Sequence, residues 1–290
     1  MNIVLITTRT SLEENKRLET EILSLGHKFT LVDFKDFEYK VIDNKLLVEK
    51  FDKLNPDIVI VRGIFNAVKS IAMFITGLRR RGIKVFDNNF TQHIYSINKI
   101  ADVMKLAQAG IPLPDTYHLH SFEKFIPGAK EIGFPVICKL ARTGKGAGVY
   151  KFDNEIDLQE FVSSLQEREI EPKSYMLQEF VNYEHDLRIL IIGEQMFCMK
   201  RIPGEGEFRA NFSLGGRVEI FNLDEEGRRM AFDALHAVDL SIGGVDMLIT
   251  RDNKRYILEV NHTAGFIGME LATNTNIGKI WVEHALANAK

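Results

Sequence analysis

The first ninety residues alternate between two hydrophobic periods, and this alternation restricts the fold more than any other feature of the chain. NIVLI (2–6), KFTLVD (28–33), DIVIVRG (57–63) and IKVFD (83–87) are short apolar runs that read as strands. Between them, SLEENKRLETEILSLG (11–26) and NAVKSIAMFITGLRRRG (66–82) carry apolar residues at helical spacing. Strands alternating with helices fold as a parallel sheet with crossover helices, an α/β arrangement. Ser11, with Glu14 three residues on, is a candidate cap for the first helix, and Gly26 is its stop. Arg79, Arg80 and Arg81 read as a solvated helix end.

A dinucleotide site would require Gly-x-Gly-x-x-Gly after the first strand, but ITTRTSLEEN contains no glycine, and no Walker A loop occurs anywhere. Residues 1–92 therefore read as a Rossmann-like domain lacking either phosphate loop. From there the pattern becomes α+β. HIYSINKIADVMKLAQAG (93–110) is helical and GIPLPDT (110–116) is a Pro-rich connector. PVICKLARTGKGAGVYKF (135–152) reads as strand, glycine loop, strand. LQEFVSSLQEREI (158–170) is a helix and YMLQEFV (175–181) a strand. DLRILIIGEQMFCMKRI (186–202) is a hairpin turning at Gly193-Glu194, which sets Asp186 opposite Arg201. EEGRRMAFDALHAVDL (225–240) and the tail from Gly268 are helical. This divides the remainder into units 93–174 and 175–290.

Thirty-seven basic against 40 acidic residues give a net charge of -3, which leaves no nucleic-acid footprint. No apolar stretch approaches the roughly 20 residues that span a membrane. The apolar run at the N-terminus is too short for a signal peptide, so the expected location is cytoplasmic. Cys138 and Cys198 lie in apolar strand-like runs and read as buried free thiols.

The chemistry begins at YILEVNHTAG (256–265). On a strand Glu259 and Asn261 share a face. If Asp252-Asn253 is a two-residue loop, Arg251 faces Lys254 and Asp246 faces Glu259. Two opposed carboxylates repel unless a cation lies between them, and oxygen donors suit Mg²⁺. The plainer alternative is a polar strand face in solvent. Upstream, Lys139 stands in an otherwise apolar strand, where an anion would offset its burial. Gly144, Gly146 and Gly148 follow it in a loop whose backbone can cradle phosphate, or which is simply a mobile hairpin. Phe180 or Val181 can pack on an adenine. Asp186, on the same face as Arg188, can accept from a ribose hydroxyl or pair with Arg201. Arg209 and Asn211, again two residues apart, suit phosphate oxygens or an exposed loop.

In order and spacing, SINKIADVMKLAQAGIPLPDT, PVICKLARTGKGAGV, LQEFV, DLRILIIGEQM, GEFRANFSLGG, GVDML and LEVNHTAGFIGME resemble the ATP-grasp ligases, and among them the RimK-type glutamate ligases. The resemblance runs over essentially the full length. It implies an ATP-grasp fold of two α+β subdomains after the N-terminal domain. It also implies ATP and two Mg²⁺ or Mn²⁺ ions. Lys99 and Lys139 would contact phosphates, and the loop from Gly144 through Lys145 and Gly146 to Gly148 would close over them. Glu179, Phe180 and Val181 would form the adenine hinge, with Asp186 and Arg188 near the ribose. Arg209, Ala210 and Asn211 would line the transition-state region, with Lys139, Arg209 and Asn211 as the catalytic set. Asp246, Glu259 and Asn261 would hold metal.

The implied reaction joins an amino acid, typically glutamate, to a carboxylate of a protein C-terminus, peptide or metabolite through an acyl phosphate. Family members are commonly homo-oligomers. The chain departs from the family at Ile202, Gly204 and Leu214, where basic residues are usual, and at His262, where a small residue is usual; these positions bear on the acceptor. His262 reads as a substrate contact or as a loop histidine bonded to backbone. Three other readings are a biosynthetic or peptide-modifying ligase, a kinase on the same fold, and an ATP-binding protein without turnover.

Overall fold

The computed structural model describes residues 1–43, 45–65, 68–92, 98–141, 148–202 and 217–290. The first elements are β1 (Asn2–Thr7), α1 (Glu13–Ser24), β2 (Lys28–Asp33), the short pair β3 (Lys40–Ile42) and β4 (Lys45–Leu47), α2 (Glu49–Asp52), β5 (Ile58–Val61), α3 (Val68–Arg80) and β6 (Lys84–Phe86). The sheet order is β2-β1-β5-β6, parallel throughout, as the alternating pattern predicts. Such strands are apolar on both sides because both faces are covered. Val4 and Ile6 pack under α3 with Phe51, Ile71 and Ile75. Ile3 and Leu5 face the other way, toward Leu18 and Ile22 of α1.

Helix α1 corrects one expectation. Its N-cap is Leu12, with no side-chain cap, so Ser11 lies one residue outside the helix. Glu13 and Glu14 in the first turn supply the favourable charge for the exposed N–H groups instead. Gly26, at φ +76°, ends the helix as expected. The arginine run is corrected as well. Arg79 is not merely solvated: Nη2 donates to Asp87 Oδ1 at 3.0 Å and to the Val85 carbonyl, and Nη1 donates to Thr91 Oγ1 at 2.7 Å.

The next elements are α4 (Lys99–Gln108), β7 (Thr116–His118), α5 (Phe125–Ile132), β8 (Val136–Leu140), β9 (Val149–Phe152), α6 (Glu155–Glu167) and β10 (Tyr175–Glu179). Their sheet, β7-β10-β8-β9, is antiparallel, and α5 and α6 close over Cys138, Phe152 and Leu177. Neither β7 nor α5 was evident from the pattern of residues 116–134.

The last elements are β11 (Tyr183–Ile192), β12 (Gln195–Ile202), β13 (Arg217–Ile220), α7 (Glu225–Ala237), β14 (Ile242–Thr250), β15 (Arg255–Asn261), α8 (Ile267–Thr273) and α9 (Ile277–Ala287). The tail is helical as expected, in two helices separated at Asn274 in the left-handed region (φ +49°). The five strands run β13-β12-β11-β14-β15, antiparallel. Leu187, Ile189, Val245 and Met247 pack under α7 and against Leu106 of α4. The opposite face sends Leu190 and Ile192 into a cluster with Trp281 and Val282 of α9, and that cluster continues into Ile3 and Leu5 of the parallel sheet. Helix α9 therefore lies between two sheets. The cysteines are buried and free.

The β11–β12 hairpin turns at Gly193-Glu194 and pairs Asp186 with Arg201, as counted from the sequence. The β14–β15 hairpin does not form the expected two-residue loop. Thr250 N–H donates to the Lys254 carbonyl, residues 251–254 form the loop, and Ile249 pairs with Arg255. Register is then one residue off the count. A bulge restores it: Met247 pairs with Ile257, Asp246 with Glu259, and Leu258 is extra. The expected opposition of Asp246 and Glu259 holds because the two departures cancel. The bulge also does what the pleat alone would not. Without it Glu259 would share a face with Ile257, which is fully buried in the core under α7.

Candidate active site

Three adjacent strands of the five-stranded sheet carry a row of charge. Arg188 on β11 lies opposite Asp246 on β14, which lies opposite Glu259 on β15. Arg188 Nη1 is 3.0 Å from Asp246 Oδ1. Arg201, from β12, places Nη1 3.4 Å from Asp246 Oδ2 and donates through Nε to Asp186 Oδ1 at 2.8 Å. Burial pushes the Asp186 carboxyl up to about 6, helped by Asp246 and opposed by Arg201. Of the two sequence readings of Asp186, the geometry contains the ion pair.

Helix α4 brings the next cation. Asn98 caps it, accepting from the N–H groups of Ile100 and Ala101 at 3.1 and 2.9 Å. The cap points Lys99 toward β15, where Nζ lies 2.8 Å from Glu259 Oε2. Burial alone would raise the Glu259 carboxyl, but Lys99, Arg188 and Lys139 hold it down to about 2. Each opposed carboxylate therefore has side-chain cations of its own, and repulsion alone no longer calls for a metal.

Lys139 reaches the same cleft from β8 and hydrogen-bonds Gln178 Oε1 of β10, whose Nε2 donates to Thr116 Oγ1 at 2.8 Å. Burial, with Lys99 nearby, lowers Lys139 to about 8 against the pull of Glu259, Asp246 and Asp186. Lys99, Asp102, Lys139, Gln178, Leu258 and Glu259 line one cleft. Leu258 and Glu259 come from β15 of the five-stranded sheet, and Lys139 and Gln178 from β8 and β10 of the four-stranded antiparallel one. Leu258 reaches it through the bulge.

Other expected residues lie at its margins. Glu179 ends β10, its N–H donating to the Asp115 carbonyl at 2.8 Å and its Oε2 accepting from Asp115 N–H at 3.3 Å. The Phe180 N–H donates to the Pro135 carbonyl, and its ring carries the Lys151 ammonium 4.6 Å from the centroid. Val181 is buried. Gly148, at φ +72°, accepts at its carbonyl from Leu140 N–H at 2.8 Å. Gly144, Lys145, Gly146, Arg209, Ala210 and Asn211 lie outside the described residues, as do Gly204 and Leu214.

His262 corrects one of its two readings. Its Nε2 lies 3.1 Å from Asp102 Oδ2, so its partner is a carboxylate rather than backbone. Asp102 and Gln178 were not foreseen. The signals were there: Asp102 stands three residues after Lys99 on one helix face, and Gln178 is a polar residue inside an apolar strand.

The fit of a divalent cation rests on oxygen donors. Asp246 Oδ1 is buried and accepts no hydrogen bond, although Arg188 Nη1 lies 3.0 Å away, so a bound cation would satisfy it. Asn261 Oδ1 accepts from Thr263 N–H at 2.9 Å and keeps a second lone pair. Among the described residues no three His, Cys, Asp or Glu side chains form a metal cluster, so the candidate set is two carboxylates and an amide. Among them, too, no helix is long and apolar enough to cross a membrane.

A family model described as the RimK-like ATP-grasp domain matches residues 96–284. N-acetylaspartylglutamate synthase A of Mus musculus is 28% identical over 241 residues, which cover 80% of this chain and 62% of the relative. The chain thus spans less than two thirds of that relative's length. A probable alpha-L-glutamate ligase of Legionella pneumophila (strain Corby) is 27% identical over 312 aligned positions, covering 100% of this chain and 97% of the other. The solved structure of the ATP-grasp ligase PsnB with a phosphomimetic variant of its minimal precursor, Mg and ADP has a TM-score of 0.75 at 18% identity. It covers 100% of this chain and 99% of that one, and bears on the fold alone.

Proposed function

The chain belongs to the RimK-like ATP-grasp family, and from that premise we propose that it is an ADP-forming carbon–nitrogen ligase joining glutamate to a carboxylate acceptor. One observation carries this reading: Lys99 and Lys139 meet Glu259 in a single cleft, with Asp246 opposite Glu259 in the sheet. That arrangement supports a reading in which cations for phosphate lie beside oxygens for a divalent ion. Phosphoryl transfer depends mainly on positioning and on neutralising charge. An oxygen of the acceptor carboxylate attacks the γ-phosphorus of ATP, and the bond to ADP breaks. The amine nitrogen then attacks the acyl carbon, phosphate leaves, and the amine proton leaves with it.

Lys139 serves the first step. Its ammonium is short of counter-charge, so phosphate oxygens would restore what burial withholds. Lys99 can be shared between Glu259 and a phosphate oxygen. Asp246, Glu259 and Asn261 would hold Mg²⁺ or Mn²⁺, which supplies charge neutralisation on the phosphates. Glu179, Phe180 and Val181 are proposed for the adenine, with Asp186 and Arg188 toward the ribose. Gly144, Lys145, Gly146 and Gly148 are proposed to cover the phosphates, and Arg209, Ala210 and Asn211 to face the transferred group. The division into 1–92, 93–174 and 175–290 is proposed with the same standing and is supported by the three large sheets. We place the activity in the cytoplasm, in keeping with two free thiols.

The test is ADP release from Mg-ATP with single amino acids against a panel of carboxylates, with mass spectrometry of the products and Glu259→Ala as control. The panel includes N-acetyl-L-aspartate and peptides with free C-termini. The expected result is ADP only when amine and acceptor are both present, with a mass gain of one glutamyl residue. ADP with a phosphorylated product and no amine requirement would replace the ligase by a kinase.

A further inference from the structure

Arg62 directly follows β5 and is only 7% exposed. Its Nη2 donates to the Ala264 carbonyl at 3.1 Å, its Nη1 reaches Asn15 Oδ1 at 3.4 Å, and its guanidinium carbon lies 5.9 Å from the Phe266 ring centroid. All three partners are neutral. Among the described residues no carboxylate pairs with it. Glu14 favours its charged form through space but does not bond it, and burial still disfavours the charge; a guanidinium withdrawn from water with no hydrogen-bonded anion is costly to keep unless something supplies one.

Arg62 also lines a cleft. Gly63, Asn88, Asp87, His262 and Thr263 share it. It lies off the carboxyl ends of β5 and β6, where open parallel sheets take their ligands. The other ionisable side chains on it are committed: Asp87 to Arg79 and Thr91, His262 to Asp102. Asp102 in turn lines the lysine cleft, so the His262–Asp102 contact is where the two clefts meet.

We propose that Arg62 anchors a substrate carboxylate, one that is held during the reaction and not activated by it. The proposal rests on the ligase reading, which gives both donor and acceptor carboxylates to hold. One cation with Asp87 close by fits a single carboxylate better than a polyphosphate, and the planar fork of a guanidinium matches carboxylate geometry. Phosphates have Lys99 and Lys139 in the neighbouring cleft.

Calorimetric titration of the full chain tests it. Mg-ADP is titrated first, then glutarate, L-glutamate and N-acetyl-L-aspartate as probes. Wild type is expected to bind at least one carboxylate saturably. Arg62→Gln weakens it about tenfold or more while Mg-ADP affinity is unchanged, and Arg62→Lys falls between. Binding of L-glutamate alone would assign the amine donor to this cleft, and N-acetyl-L-aspartate alone the acceptor. Equal carboxylate affinity in wild type and Arg62→Gln, or no saturable binding by wild type with Mg-ADP still bound, overturns the anchor and leaves the ligase standing. Failure of wild type to bind Mg-ADP removes the ligase reading and the anchor with it. Should Arg62→Gln not fold, the wild-type Arg62 Nε–H resonance, assigned by its absence in Arg62→Lys, decides the matter: it shifts on saturation, or the anchor falls.

Discussion

Lys139 and Glu259 face one cleft and respond to it in opposite ways. Burial wins at Lys139, whose ammonium is disfavoured down to about pH 8. Surrounding cations win at Glu259, whose carboxylate persists to about pH 2. The two signs give two expectations. The folded-state value of Glu259 is depressed from 4.5, so its contribution is fully present above pH 4.5 and is lost as pH falls toward 2. Glu259→Gln should be less stable than wild type at pH 7 by a margin that closes across that window, as urea denaturation at stepped pH would read. A margin independent of pH would mean that the carboxylate is not held by its neighbours. Lys139 is depressed from 10.5, so its charged form costs stability below pH 8, and the cost fades between 8 and 10.5. Lys139→Met should raise stability at pH 7 while weakening Mg-ATP binding, the trade expected where a site keeps a poorly compensated charge. Loss of both together would argue for a structural lysine. These residues were legible in the sequence because a lysine in an apolar strand and paired acidic residues at a strand end are conspicuous. Their partners were less so: Gln178 and Asp102 are ordinary polar residues until the fold sets them beside a lysine and a histidine.

The β14–β15 hairpin shows where element-scale reading stops. Hydrophobic period located both strands, because one face must be buried. Turn type and bulge have no comparable signature: Asp252-Asn253 is compatible with a two-residue loop, yet Asn253 takes φ +61° inside a longer one. Leu258 does not announce itself as an inserted residue. The glycines of GGVD are more informative. A Cβ on Gly244 would stand 2.8 Å from Ala264 Cβ and 3.0 Å from Arg188 Nη1. Gly244→Ala should therefore cost about 1–3 kcal/mol by overpacking, measured by chemical denaturation. It should also weaken metal-dependent nucleotide binding, because Arg188 must shift from Asp246. Unchanged stability would mean that the loop after β15 gives way freely.

At the scale of the molecule, the parallel sheet and the five-stranded sheet are joined through α9. Trp281, 4% exposed, meets Phe86 of β6 edge-on at 5.7 Å, and the backbone of Lys290 exchanges hydrogen bonds with Val85 at 2.9 and 3.1 Å. Arg17 of α1 bonds Glu270 of α8 at 2.8 Å. Trp281→Ala should cost about 3–5 kcal/mol and should lower the unfolding of both sheets together, read by calorimetry. Two transitions, with only one displaced, would mean that the helix serves one sheet. None of this joining was legible, since local period says which face of a helix is apolar and not which distant sheet will cover it.

The antiparallel unit stands apart. Its core around Phe125, Cys138 and Leu177 shares no residue with the other clusters. Lys99 and Glu259 belong to the joined pair of sheets, Lys139 and Gln178 to the separate unit. The chain thus resembles a fixed anvil and a single jaw. In the proposed reaction such a jaw would be the part that moves, with the short stretches 113–115 and 180–182 on either side of it.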